Sequence, residues 1–228
     1  MIRFQIITVQ MNTYKTIIFD MDGTVLDTLD ELTESLNYIL RKYQLTEKTK
    51  MQVRSYLGYG YAGLIRQAVP GASQDFQQEL QDAFKNYYGT HCQGHTKPYE
   101  GILEILASLR DAGYKTAIVS NKGQAAVTEL HKEFFEGLVQ FSLGESANYK
   151  KKPEPDMIWE ALRRLDSAAQ EAIYIGDSEV DKKTADNSGL DSALVTWGFR
   201  DKPLLQSLNP DYLVSSPKEL EHLFIPAK

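Results

Sequence analysis

The chain is poor in several things, and each shortage narrows what it can be. Its 228 residues include one cysteine, which excludes an internal disulfide framework and fits a reducing compartment. Positive charge is not in excess: 25 Lys and Arg stand against 31 Asp and Glu, a formal net charge of −6, which argues against general nucleic-acid affinity, since that wants a basic face. No apolar run approaches the length of a membrane span. The opening residues, MIRFQIITVQM, lack the extended apolar core and small-residue cleavage site of a secretory leader. Internal repeats and low-complexity tracts are absent as well. The expectation is a cytoplasmic protein, monomer or homodimer, that binds neither nucleic acid nor membrane. With 42% hydrophobic and 11% aromatic residues it can bury a substantial core in one large or two smaller domains. Met11 is a second candidate start, and residues 1–10 are then a frayed extension or an added edge strand.

The stretch that organises the rest is TIIFDMDGTVLDT, Thr16 to Thr28. Ile17, Ile18 and Phe19 form a short apolar run rich in β-branched residues, the pattern of a buried strand. It stops at Asp20, a second acid follows at Asp22, and Gly23 permits a sharp turn. A carboxylate at the carboxyl end of a buried strand sits where open α/β sheets place their ligands. Two carboxylates at i and i+2 can share a divalent cation while one attacks and the other moves a proton.

Beyond Asp27 the rhythm becomes helical. Leu29, Leu32, Leu36, Ile39, Leu40 and Tyr43 recur at three- and four-residue spacing, predicting a helix over 28–43. Further helices are predicted over 49–56, 61–69 and 73–88, the last with Ser73 as its N-cap, and no strand is expected among them. The linker Gly94–Tyr99 ends this region. Helices are then predicted at 100–112, 124–135, 156–166, 178–188 and 217–223, alternating with strands at 115–120, 139–142, 172–176, 192–196 and 212–214. Such alternation indicates an α/β fold, a doubly wound, mostly parallel sheet covered on both faces. The expected partition is an α/β core of residues 1–27 and 96–228, interrupted by an all-helical module, 28–95, inserted after the first core strand. That module is formally neutral, so the core carries the whole net charge of −6. An anionic substrate would need a metal and a few placed cations.

Three further motifs supply them. Ala117–Lys122 leads from apolar residues into Ser120 and Asn121, whose side chains and following backbone N–H groups can cradle an anion. Lys152 directly precedes Pro153-Glu154-Pro155. Ala172–Gly176 again ends in an acid, Asp177, with Asp181 four residues on. With Asp20 and Asp22 these acids make an all-oxygen site suited to Mg²⁺. Asp20, Ser120 and Asp177 each end a separate predicted strand, so a parallel sheet brings them to one edge.

These four motifs, in this order, resemble those of the haloacid-dehalogenase-like phosphohydrolases, and the helical insertion resembles the mobile cap of the phosphoglycolate-phosphatase group. The resemblance implies a Rossmann-like core and a Mg²⁺-dependent phosphatase that acts on small phosphorylated metabolites through an aspartyl-phosphate. By that resemblance Asp20 is the nucleophile and Asp22 the acid and base. Ser120, Asn121 and Lys152 bind phosphate. Asp20, Asp22 and Asp177 hold the metal, with Asp181 supporting it. A β-phosphoglucomutase-like mutase and an inorganic pyrophosphatase of the same superfamily share these features. A receiver-like signalling domain would be much shorter and would lack the insertion. Tyr59, between Gly58 and Gly60, and Arg66 are the expected specificity residues of the insertion. His91, Cys92 and His95 lie beside a linker without a fourth ligand at usual spacing and are taken as incidental.

Overall fold

Strand β1, Thr16–Phe19, lies at the centre of the sheet, and its side chains explain why. Ile17 and Phe19 enter one buried cluster and Ile18 the other, so both faces of the strand need covering. The computed structural model describes residues 14–225; the expectations for residues 1–10 and Met11 lie outside the described residues. Strands β4 (Lys115–Gly123), β5 (Phe141–Glu145), β6 (Ala172–Gly176), β7 (Asp191–Val195) and β8 (Tyr212–Val214) complete a six-stranded sheet of order β5-β4-β1-β6-β7-β8. Every pairing in it is parallel. Ile118, Ile173 and Ile175 lie on the side of Ile17, while Val119, Ala172 and Tyr174 lie on the side of Ile18. The expected doubly wound α/β fold is what forms.

Four helices follow β1: α1 (Leu29–Lys42), α2 (Lys50–Tyr56), α3 (Gly60–Ala68) and α4 (Gln74–His91). Thr49 and Ser73 cap α2 and α4 through side-chain bonds to Gln52 N–H and Phe76 N–H. Helices α5 (Ile102–Asp111), α6 (Gln124–Leu130), α7 (Asp156–Arg164), α8 (Glu179–Ser188), α9 (Lys202–Ser207) and α10 (Pro217–Phe224) belong to the α/β part. Helix α8 ends on Gly189 at φ 72°, a left-handed cap. The four-helix layer does not have a core of its own: Leu36, Leu64, Phe84 and Tyr88 belong to the same buried cluster as Ile17 and Phe19. Among the described residues, no helix is long and apolar enough to cross a membrane.

The structure departs from the sequence reading in four places. Leu26–Asp27 (β2) and Lys97–Pro98 (β3) pair antiparallel, so the two connections to the helical layer are zipped together; two-residue strands carry no periodicity to read. Strand β5 starts two residues later than predicted. The Gln140 side chain accepts from the backbone N–H of Thr116 at 2.7 Å and its hydroxyl at 2.8 Å, and the ladder begins only at the Ala117–Phe141 pair. Residues His131–Phe135 continue α6 as a π-helical turn. Helix α9, six residues with a proline in its first turn, was too short to announce itself.

A shared core makes a prediction. Leu36→Ala, at a fully buried site of α1, is expected to destabilise the whole protein by about 2–5 kcal/mol in a single unfolding transition followed by circular dichroism. An unchanged main transition, preceded by separate melting of the helical layer, would show two independent cores.

Candidate active site

Asp20 leaves β1 while its N–H still bonds to Ile175 O at 2.8 Å, which carries the ladder one residue past the strand. The chain then folds back tightly: Met21 O accepts from Val25 N–H at 3.1 Å and Leu26 N–H at 2.9 Å. Gly23 makes this turn at φ 83°, and a Cβ there would lie 2.4 Å from Asp177 Oδ2. Only glycine allows both the conformation and the approach of the two strand ends.

Around Asp20 the groups expected from the sequence converge. Lys152 Nζ lies 2.8 Å from Asp20 Oδ1 and 2.8 Å from Asp181 Oδ1, and donates to Tyr174 Oη at 2.7 Å. Its side chain is 3% exposed, so these partners replace water as well as countercharge. Asp181 has both oxygens engaged: Oδ2 accepts from Asp177 N–H, Ser178 N–H and the Ser178 hydroxyl. Asp177 Oδ2 accepts from Phe199 N–H at 2.5 Å, within the turn that begins at Thr196. Trp197 Nε1 in that turn donates to Thr24 O at 3.1 Å, tying it to the loop after β1.

Strand β4 runs on to Gly123, with its register against β5 shifted between Val119 and Gly123. That irregularity breaks the strict alternation, so Ser120, Asn121 and Lys122 all line the same cavity. Ser120 Oγ accepts from Lys122 N–H at 3.2 Å. The Asn121 amide donates to Lys152 O at 2.9 Å and Gly58 O at 3.1 Å, clasping the lysine loop to the helical layer. Lys122 was not singled out from the sequence, yet its side chain is 1% exposed. Its Nζ lies 3.0 Å from Asp22 Oδ1, donates to Tyr88 Oη at 2.6 Å and sits 4.3 Å from the centre of that ring. The available signal was its place right after Ser120-Asn121 at a strand end. Its partner Tyr88 comes from α4 and no local pattern points to it.

The helical layer covers the site. A cavity of about 40 Å³, room for a few waters, remains between Asp20, Asp22 and Lys152 on one side and Leu57, Tyr61 and Leu64 on the other. Arg200 makes a bidentate pair with Glu179 at 2.7 and 2.9 Å and donates to Leu57 O at 2.8 Å and Arg54 O at 3.3 Å, at the carboxyl end of α2. In return Arg54 reaches Asp201 Oδ1 at 2.9 Å. The two residues expected to govern specificity are elsewhere. Tyr59, at the start of α3, is 39% exposed beside Glu179 and Pro153, and Arg66 lies on the exposed face of α3. The cause is helical phase: Tyr61, Leu64 and Ile65 occupy the inward face of α3. His91 stacks on Tyr87, and His95 Nε2 lies 3.2 Å from Glu34, away from any shared ligand.

The site carries more buried negative charge than its lysines offset. Asp20 is pushed up to about 7, by burial first, against the pull of Lys152 and reinforced by Asp181 and Asp22. Asp177 is raised well above the usual carboxylate range by burial and then by Asp181 and Asp20. Burial alone would lower the Lys152 ammonium, but Asp181 and Asp20 together lift it well above its ordinary value. Asp20, Asp177 and Asp181 each offer an oxygen, all within 4.8 Å of one another. An all-carboxylate donor set with excess charge fits a hard divalent cation such as Mg²⁺. Asp22, expected among the ligands, lies outside this group, its Oδ1 3.0 Å from Lys122 Nζ.

Known proteins resemble this chain along nearly its whole length. The profile of a family described as haloacid dehalogenase-like hydrolase matches residues 17–195. A phosphoglycolate phosphatase of Rhodobacter capsulatus is 34% identical over 193 residues, 82% of this chain and 87% of that protein. A Caldanaerobacter subterraneus protein named as a candidate pyrophosphatase PpaX is 30% identical over 210 residues, 90% of this chain and 91% of its own. A crystal structure from Lactobacillus delbrueckii subsp. bulgaricus, solved as a candidate phosphoglycolate phosphatase, superposes with a TM-score of 0.89 at 36% identity, covering 94% of this chain and all of that one.

The charge excess can be tested without catalysis. Mg²⁺ at about 100 times its dissociation constant should stabilise the protein by about 2.7 kcal/mol. For a chain of this size that is a rise of roughly 5–10 °C in melting temperature. Asp177→Asn should remove most of the rise. Equal rises in both proteins would place the cation elsewhere.

Proposed function

Because the chain belongs to the haloacid dehalogenase-like hydrolases, we propose that it is a phosphatase of small phosphorylated metabolites, phosphoglycolate phosphatase-like, with Asp20 as its nucleophile. The observation that carries this reading is Asp20 itself: a carboxylate at the carboxyl end of the central strand, 2.8 Å from a buried lysine and next to two further buried acids.

Asp20 attacks phosphorus in line, the bond to the leaving oxygen breaks, and an aspartyl-phosphate forms. Lys152 offsets the repulsion between carboxylate and phosphate as they close to bonding distance. The Ser120 hydroxyl and the backbone N–H groups that follow it take phosphoryl oxygens, and Asn121 keeps the Lys152 loop in place. Asp22 gives its proton to the departing alkoxide, then takes one from the water that cleaves the acyl-phosphate. Asp20 and Asp177 are the residues that would hold Mg²⁺, which when bound supplies positive charge for the phosphoryl oxygens. Asp181, its oxygens already engaged, orients Lys152 and the Asp177 backbone.

Residues 28–95 act in this reading as a cap inserted in a core of residues 1–27 and 96–228, closing over the substrate and excluding water. A cavity of about 40 Å³ under a closed cap suits compact metabolites and leaves no room for a folded phosphoprotein. The pyrophosphatase relative favours a second reading, in which inorganic pyrophosphate is the substrate.

A phosphate-release screen over phosphoglycolate, pyrophosphate and sugar phosphates, with and without Mg²⁺, separates the two. Activity should vanish in a chelator and return with Mg²⁺. Asp20→Asn should abolish turnover, since an amide forms no acyl-phosphate. Asp22→Asn should cost roughly 10²–10⁴-fold, and less for p-nitrophenyl phosphate, whose leaving group needs little protonation. An Asp20→Asn protein as active as the wild type would remove the nucleophile from this mechanism.

A further inference from the structure

Three cations line the cavity, and they are not equally engaged. Lys152 Nζ has three oxygens within 2.8 Å, two of them carboxylate oxygens of Asp20 and Asp181, and it donates to Tyr174 and Asp181. Arg200 is neutralised by the bidentate Glu179 pair and turned toward the carbonyls at the carboxyl end of α2. Lys122 has one carboxylate, Asp22, and one neutral hydroxyl, that of Tyr88. An ammonium has three donors and Lys122 has two partners, so at least one N–H of this buried cation on the cavity wall remains for a ligand. The two lysines also divide the site: Lys152 stands against Asp20 and Lys122 against Asp22.

We infer that Lys122 is a specificity-determining residue that binds an anionic oxygen on the leaving group, carried within one or two carbons of the ester oxygen. The inference rests on the proposed roles of Asp20 and Asp22. If Asp22 serves the leaving oxygen, Lys122, 3.0 Å from it, lies beside the atoms attached to that oxygen. The cavity wall beside Lys122 includes Tyr61 and Leu64, both buried, and the Tyr88 ring lies 4.3 Å from its Nζ, so the group accepted there must be compact. A carboxylate or a second phosphate fits the remaining donor, whereas an alkyl group would leave a buried N–H without a partner. The cation comes from β4 and its second partner from α4, so this pocket is complete only with the helical layer in place.

The test compares two substrates alike at the phosphoester and different beside it: 2-phosphoglycolate, with a carboxylate, and ethyl phosphate, with a methyl group. The wild type should favour 2-phosphoglycolate in kcat/KM. Lys122→Met and Lys122→Gln, the latter retaining hydrogen-bonding capacity toward Asp22 and Tyr88, should slow both substrates. Both variants should also lower the ratio of the two kcat/KM values by a further 10- to 100-fold, about what a hydrogen bond to a charged group is worth. The Mg²⁺-induced rise in melting temperature checks that each variant is folded. A ratio unchanged in the folded variants, with both substrates slowed alike, would mean that Lys122 serves only Asp22 and would overturn the inference. So would a wild type with no preference. A wild type inactive on every phosphomonoester would instead overturn the phosphatase reading and this inference with it.

Discussion

Three carboxylates held together out of water are the constraint on which this structure turns. Asp20, Asp177 and Asp181 are each buried, and their oxygens crowd within 4.8 Å. Gathering like charges in a medium of low polarity costs several kcal/mol per ion unless donors and countercharges replace the lost water. Much of the surrounding architecture supplies those replacements. Lys152 bridges Asp20 and Asp181, the start of α8 gives Asp181 two backbone N–H groups and a hydroxyl, and the Thr196–Phe199 turn gives Asp177 another N–H. Tyr174 buries its ring in the sheet and donates its hydroxyl proton to Val119 O, so its oxygen can receive Lys152. What these donors leave uncompensated is what raises Asp20 and Asp177 and suits the site to a divalent cation.

The helical layer is joined to this centre by charge as well as by apolar packing. Its aromatic residues Tyr61, Phe84 and Tyr88 share the buried cluster of the sheet. Across the same boundary Lys122 meets Tyr88, Asn121 meets Gly58 O, and Arg54 and Arg200 cross in opposite directions. Each polar link ends on a backbone carbonyl, a neutral hydroxyl or a carboxylate at the rim. Bonds of that kind exchange with water at little cost, whereas those of the buried carboxylate–Lys152 cluster do not. The β2–β3 ribbon ties the two connections of the layer to each other.

Glycine and backbone irregularity do the fine placement. Gly23 lets the loop after β1 press onto Asp177, and the shifted register of β4 turns three consecutive residues toward one cavity. Neither device adds a functional group. Both decide which groups meet.

The sequence by itself determined the sheet, its parallel sense, the order of the motifs, and the convergence of Asp20, Ser120, Lys152 and Asp177. Those features follow from local periodicity and from strands ending abruptly in polar residues, which parallel topology carries to one edge. Local pattern also placed the Ser73 cap. It did not reach Lys122–Tyr88, separated by 34 positions, or Arg200–Leu57, separated by 143, because such pairs are chosen by packing between distant elements. It named Tyr59 and Arg66 for the cavity, where the structure has Leu57, Tyr61 and Leu64. The rotational phase of a nine-residue helix is set by what it packs against, and only the tertiary structure holds that information.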